Sequence, residues 1–564
     1  MKKTKAFLFT LIILLASSCS SYDGPPATMV IKNAKVLTID KNNPNAEAIA
    51  IIGEEIIAVG TDKQIDQYIG ANTEVIDAGG RLTIPGFNDA HAHFGPIDLD
   101  YIELRYTTDP NVITDKVKAR VAEVGDGVLI RGGHWEHEMF TDPKWPAKEL
   151  LDEVAPNNPV ALSRADGHSV LVNSYVLKAS GITSDTPDPF GGEIQKDPVT
   201  GEPTGIFKES AKSLLKYGAV RQNLTAEERE AKSVKGWEAA FDYAARLGIT
   251  SIQYPGGGDA DFFTEWQKLG KLTSRIDVSG RLTADKEDLL RFDAIRKAYP
   301  PDGNWIRFGY MKGFMDGTLG SGTLLLFKPL EDEPEKTGLP QMSYEELEKR
   351  VLACDAMGFQ IGIHAIGTKA NNWILNAYEK AQEVNGKRDS RHRSEHAQIL
   401  IDEDIPRFAE LGVIASMQPT HCITDKRFCE KRIGLERSKG AYAWRRLLDA
   451  GAKIAFGTDY SVEPLEPMEG LYAATTRKDR LGEEGEGWFP DQKLSMEEAI
   501  ELYTLGGAYA QFMEDRKGMI KEGYLADITI VDKDLLNIPE EEIMKTKVVY
   551  TIVGGKVVYQ NSDK

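Results

Sequence analysis

The sequence predicts an α/β chain built on a parallel (β/α)8 TIM-like barrel. Two observations carry that expectation. Short apolar runs bounded by glycine, proline and polar residues alternate with helix-favouring stretches, and metal-capable side chains stand at the ends of several runs. The runs are 82–90, 248–253, 275–282, 306–313, 359–364, 393–397, 413–418 and 453–458. Segments 226–247, 344–357 and 404–411 read as helices between them. In such barrels chemistry gathers at the C-terminal ends of the strands.

The first run ends Pro85-Gly86-Phe87-Asn88-Asp89-Ala90-His91-Ala92-His93. At an extended strand end, spacing i, i+2 turns His91 and His93 toward the same side. Two converging neutral imidazoles suit a zinc-like divalent ion if further nitrogen or oxygen ligands complete the shell. Alone, the pair is equally well read as chance. The chain holds nine histidines, however, and His364 closes the fifth run, His396 lies in the sixth and Asp459 follows the eighth. Singly, each reads as a hydrogen-bonded core histidine or a turn aspartate. Four such positions on four strands favour a metal centre. Lys312, on the fourth run, has two readings: a buried lysine paired with a carboxylate such as Asp316, or an N6-carboxylysine, formed with CO2, whose anionic oxygens bridge two ions.

The chain resembles the amidohydrolase superfamily, in the family-3 branch that includes N-substituted formamide deformylase-like proteins. The resemblance rests on Pro85–His93 as quoted, Met315-Asp316-Gly317-Thr318-Leu319-Gly320-Ser321, His364-Ala365-Ile366-Gly367, Ser394-Glu395-His396-Ala397-Gln398, Gly457-Thr458-Asp459 and the closing Leu525-Ala526-Asp527-Ile528. It runs from about residue 28 to the C-terminus. It implies His91, His93, His364, His396 and Asp459 as ligands of one or two divalent ions, with Lys312 as a carboxylated bridge. A further block, Arg164-Ala165-Asp166-Gly167-His168-Ser169, marks Asp166 and His168 as substrate contacts. Gly322, Thr368-Lys369 and Ser461 depart from residues common at those places in the family, so no particular substrate is carried over.

The expected reaction is hydrolysis of a C–N bond in an amide, N-substituted formamide or cyclic amide. A divalent ion lowers the pKa of its bound water from near 16 toward ~7. Asp459 is the expected proton shuttle from water to the leaving nitrogen, because a carboxylate beside a cation stays ionised. An esterase or lactonase on the same site is the alternative within enzymes. A small-molecule-binding lipoprotein without catalysis is the alternative outside them. Zinc comes first on ligand type, with iron or manganese also admitted. No Gly-x-Ser-x-Gly elbow suggests a serine nucleophile.

The span 95–224 is too long for a simple loop and reads as an insertion after the first barrel strand. Within it, His134 and Glu136 have a weak reading as a second metal site, Glu209 reads as a surface or capping carboxylate, and Trp135, Phe140 and Trp145 read as a small core or a lid. Strand-like stretches near both ends, 28–84 and 515–564, predict one β-sandwich beside a barrel of 85–514. The capping-box pair Ser495 and Glu498 opens a helix expected over 496–513.

Lys2, Lys3 and Lys5 precede the apolar run 6–16, and Ser17-Ser18-Cys19 follows. Residues 1–18 therefore read as a secretory signal peptide, and Cys19 as the lipidated first residue of a bacterial lipoprotein tethered through 19–27. Cleavage that leaves a free Cys19 is the competing reading. The formal charge of −19 argues against nucleic acid as a partner. The expected partners are a small-molecule substrate and, through the lipid, a membrane; oligomerisation is open. Cys422 and Cys429 could pair in an oxidising compartment.

Overall fold

The computed structural model describes Tyr22 and residues 24–217, 224–482 and 485–561. The predicted signal peptide and Cys19 lie outside the described residues, and no helix among those described is long and apolar enough to cross a membrane.

Eight parallel strands form a TIM-like barrel: β1 (Phe87–Asp89), β2 (Ile249–Gln253), β3 (Arg275–Arg281), β4 (Ile306–Phe314), β5 (Ile361–Ala365), β6 (Arg393–His396), β7 (Ile414–Met417) and β8 (Lys453–Phe456). The closing seam uses backbone bonds. Ala90 N–H donates to the Phe456 carbonyl at 3.1 Å, and Asp459 N–H to the His91 carbonyl at 2.7 Å. Helices such as Ala226–Arg246, Tyr344–Ala356 and Thr368–Asn385 alternate with the strands and bury their apolar faces in one large core. That core is why the strand runs are nearly all apolar: a parallel sheet covered by helices has no wet face.

The run 82–90 is not one strand, as the sequence suggested, but two. Leu82–Pro85 joins a six-stranded sheet beside Lys35–Leu37 and Ile528–Val531, while Phe87–Asp89 enters the barrel. The break is Gly86, where a Cβ would lie 2.1 Å from a Thr250 side-chain carbon, so only glycine lets the chain cross here. The six-stranded sheet combines strands from both termini. It shares a hydrophobic cluster, including Ile31, Ile51, Ile76, Ile528 and Ile552, with a four-stranded sheet of residues 29–77. The expected helix over 496–513 is interrupted: Met496–Glu501 is α-helical, Leu502–Gly506 has wider π turns and Gly507–Ala510 resumes.

Between β1 and β2, residues 102–209 build a separate six-stranded mixed sheet with its own apolar clusters. Trp135 and Phe140 are buried in one of them, with Trp145 packed against it. These aromatics make a core rather than a lid. The strands Val160–Arg164 and Ser169–Val172 end at a turn that carries Arg164, Asp166 and His168 to the barrel mouth.

Candidate metal centre

His91 and His93 leave the end of β1, and Asp459 leaves the end of β8 across the closing seam. Asp89 holds the two ends together. Its Oδ1 accepts from His91 N–H at 3.1 Å and Thr458 N–H at 3.0 Å, and its Oδ2 from the Thr458 hydroxyl. Asp459 Oδ1 then lies 3.6 Å from His91 Nε2 and 3.4 Å from His93 Nε2. His91, His93 and Asp459 thus present three ligand atoms in one group, and His396, His421 and Asp459 present a second that shares the carboxylate. Both Asp459 (φ 58°) and His396 (φ 77°) adopt left-handed backbone, which costs a non-glycine residue energy and is retained where position matters.

The surroundings fix each ring. Glu395 Oε2 stands 2.5 Å from His91 Nδ1, and Arg393 Nε lies 2.7 Å from the other Glu395 oxygen. This leaves His91 Nε2 to face the group, the usual arrangement of a carboxylate behind a metal-binding imidazole. His396 Nδ1 bonds the Gln418 side-chain oxygen at 2.8 Å. Burial pushes the His91, His93 and His396 imidazoles below their ordinary range, which keeps them neutral and able to donate lone pairs. Burial is the largest single influence on Asp459 and would raise it, but the hydrogen bond from His421 at 3.0 Å and the imidazoles of His91, His396 and His93 around it together hold the carboxyl well below the usual range. Burial likewise opposes charge on His421, yet that hydrogen bond and the charge of Asp459 push it up to about 9.

Lys312 is buried with Nζ 3.4 Å from His91 Nε2 and 4.7 Å from the Phe314 ring centre. Burial brings it down to about 8, against the pull of Glu395 and Asp459. It is not paired with Asp316. That carboxylate instead accepts the backbone N–H groups of Leu325, Ile366 and Gly367 at 2.7–3.0 Å. His364 sits with its ring 4.5 Å from that of His396. Its Nε2 turns away to the Gly317 carbonyl at 3.2 Å, so it stands outside both ligand groups.

The insertion supplies one wall. Asp166 lines the cavity beside the histidines, but its oxygens are taken by Arg164, Thr318, Ser321 and the His168 N–H. His168 faces the cavity with its ring 5.1 Å from that of His364. Its Nδ1 lies 2.8 Å from Glu209, which also accepts from the Thr323 hydroxyl at 2.7 Å. Glu209 is therefore not the surface carboxylate expected from Lys208-Glu209-Ser210; it is buried behind His168 with φ 50°. His134 bonds Glu103 while Glu136 pairs with Arg164, so those two do not converge. Cys422 and Cys429 are free buried thiols on one helix, Pro419–Ser438.

Sequence reasoning missed His421 and Glu395. His421 opens that helix rather than ending an apolar run, so its only signal was adjacency to β7. Glu395 was visible in Ser394-Glu395-His396, where its inward alternation on β6 could have been read.

Among the described residues, Asp459 Oδ1 is buried and has no hydrogen-bond donor. A buried carboxylate oxygen is seldom left so; neutral His91, whose Nδ1 proton faces Glu395, turns a lone pair toward it, and His93 Nε2 stands 3.4 Å away without a hydrogen bond. A divalent cation satisfies all three lone pairs at once, and the nitrogen and oxygen donor set suits zinc-like ions. The residues fit a metal.

Comparison with known proteins agrees with that chemistry. Residues 74–559 match the amidohydrolase family. The chain is 32% identical over 551 residues to Protein LONG AFTER FAR-RED 3 of Arabidopsis thaliana, covering 95% of this chain and 92% of that protein. It is 28% identical to N-substituted formamide deformylase of Arthrobacter pascens, covering 95% and 98%. Among solved structures, an uncharacterized metal-dependent hydrolase from Pyrococcus furiosus superposes with a TM-score of 0.65 at 26% identity, over 90% of this chain and all of that one.

Proposed function

Because the chain belongs to the amidohydrolase family, we propose that it is a metal-dependent hydrolase of a C–N bond in an amide, N-substituted formamide or cyclic amide. The observation that carries this reading is the partnerless Asp459 Oδ1 facing the Nε2 atoms of His91 and His93. His91, His93, His396 and Asp459 would hold the ion, zinc first by donor type, and His364 would join after turning from Gly317. When bound, a divalent ion supplies Lewis acidity and brings water to an ionised, nucleophilic state near neutral pH.

The protein's own groups do the rest. Asp459 takes the proton of the attacking water and delivers it to the leaving nitrogen as the C–O bond forms and the C–N bond breaks. His421, bound to the other oxygen of Asp459, keeps that carboxylate oriented and ionised. His168, steadied by Glu209, contacts the substrate from the insertion wall, and Asp166 on the same turn borders the cavity beside it. Lys312, drawn down to about 8, carries more free amine near neutral pH than an exposed lysine does. That form can add CO2 as an N–C bond forms and one proton leaves, giving a second anionic ligand. In the same reading, residues 28–84 and 515–564 make a bracing β-sandwich, and export with lipidation at Cys19 places the enzyme on a bacterial membrane.

The test is metal analysis of the purified protein together with release of amine from a panel of N-substituted formamides and N-acyl amines. One or two ions per chain and turnover that a chelator abolishes and zinc restores are expected. A Lys312→Ala protein should lose one ion if the lysine is a bridge. Absence of any bound ion after reconstitution would overturn the reading.

A further inference from the structure

The cavity beside the histidines is lined by more charge than the metal centre uses, and nearly all of it is paired within the protein. Arg164 lies between Glu136 and Asp166, His168 is bonded to Glu209, and His421 to Asp459. Glu463 accepts from Arg480 at 2.8 Å, with Arg105 4.0 Å away. The exception is Asp425. Both of its hydrogen bonds come from neutral donors and reach the same oxygen: the Gln398 amide and the Tyr442 hydroxyl each lie 2.8 Å from Oδ2. Among the described residues no lysine, arginine or histidine forms an ion pair with it, and Oδ1 has no hydrogen bond there.

Asp425 follows His421 by one turn of the helix Pro419–Ser438, so the two side chains share a face and both line the cavity that His364, His396 and Asp459 also line. Burial pushes its carboxyl above the ordinary value, against the nearer positive groups His421 and Arg427. Because Asp425 is only partly buried, its unbonded oxygen is open to whatever occupies the cavity. Glu136, Asp166, Asp459 and Glu463 on this wall are each ion-paired within the protein, whereas among the described residues the partly exposed Asp425 has no such partner.

We propose that Asp425 is a specificity residue that receives a cationic nitrogen group of the substrate, an ammonium or guanidinium head carried by the amide to be cleaved. The cavity encloses about 40 Å³. One water needs about 10–15 Å³ on that measure, so the space admits a small head group and not a bulky one. A guanidinium fork donates two parallel N–H groups to a carboxylate, and Oδ1 of Asp425 offers the vacant acceptor while Gln398 and Tyr442 hold Oδ2 still. The apolar side chains of Leu319, Ile366 and Phe428, which also line the cavity, would flank the carbon stem.

The inference rests on this cavity being the hydrolase's substrate site, yet its test needs no turnover. Methylguanidinium and its neutral near-isostere N-methylurea are titrated calorimetrically, at millimolar and non-denaturing concentrations, into the metal-loaded protein in 0.15 M salt. Methylguanidinium should bind at least tenfold more tightly. Asp425→Asn should reduce its affinity at least tenfold at an unchanged metal content, and Asp425→Glu should keep most of it. Equal affinity for the two probes overturns the proposal, as does an Asp425→Asn protein that binds methylguanidinium like the original. Should Asp425→Asn not fold, the two-probe comparison on the unaltered protein still decides. Charge-selective binding without hydrolysis would sink the proposed function and leave this site standing; hydrolysis without charge selection would do the reverse.

Discussion

The barrel buries charge at both ends, and the two ends use it differently. At the N-terminal base, Arg275 grips Asp527 through two hydrogen bonds of 2.8 Å, and Asp527 also accepts the Gly554 N–H at 2.9 Å. Nearby, Lys517 donates to the Ser251 hydroxyl at 2.8 Å. Asp527 there faces donors in fixed geometry, and its pair with Arg275 ties β3 to the sheet made from both termini. At the mouth, Asp459 keeps an oxygen with no donor, and imidazole nitrogens stand opposite it. A satisfied network adds rigidity; an unsatisfied one stores affinity for something that arrives later. The base is built to hold the fold and the mouth to hold a ligand.

Substitutions should separate the ends cleanly. The largest effect is expected at Asp459. Asp459→Asn removes the proposed proton carrier and a proposed anionic ligand, and turnover should fall by on the order of 10²–10⁴-fold, with the melting temperature of the metal-free protein little changed. A loss under tenfold would deny Asp459 the shuttle role. At the base the pattern should reverse. Asp527→Ala strands Arg275, 2% exposed at its side chain, and should destabilise the fold by about 3–5 kcal/mol in denaturant unfolding while leaving metal stoichiometry intact. Loss of metal without loss of stability in that variant would erase the distinction.

Glu395 tests an intermediate case, since it is as fully buried as the base pairs yet serves the mouth through His91. Glu395→Gln should weaken metal affinity by about 10–100-fold, measured by competition with a chelator. An unchanged affinity together with lower stability would assign Glu395 to the scaffold.

The same contrast explains what could be read from the sequence. The strands and the candidate ligands His91 and Asp459 were legible because each sits at the end of a short apolar run, His91 after Pro85-Gly86 and Asp459 after Gly457-Thr458, whereas His364, after Gly362-Ile363, reaches the mouth but turns to the Gly317 carbonyl. Local pattern and site coincide there. Glu209 was misread because Lys208-Glu209-Ser210 looks like a solvated turn. Its burial depends on Thr323 and His168, far away in the chain, and on a left-handed backbone that no local pattern announces. His421 was missed because a helix start gives no strand-end signal, and 82–90 was read as one strand because nothing apolar changes at Gly86. The obstacle at Gly86 is Thr250, which belongs to another strand.

The smallest effect concerns the shape of a pH profile. Burial brings Lys517 down to about 7, against the pull of Asp277. Its folded value therefore lies below its unfolded value near 10.5, and the charged form is the one the fold disfavours. Above that unfolded value neither state carries the proton and the lysine costs nothing. As pH falls from there toward about 7, the unfolded chain takes up a proton that the folded chain refuses, so stability declines; below about 7 both states are charged and the decline stops. Lys517→Met removes this group while filling similar space. The stability of the variant relative to the unaltered protein should rise as pH drops through that window, then level off, in melting or denaturant curves collected across it. A difference that stays constant with pH would mean that Asp277 and Asp527 keep Lys517 charged, making the base a fully ionised network and sharpening its contrast with the neutral imidazoles at the mouth.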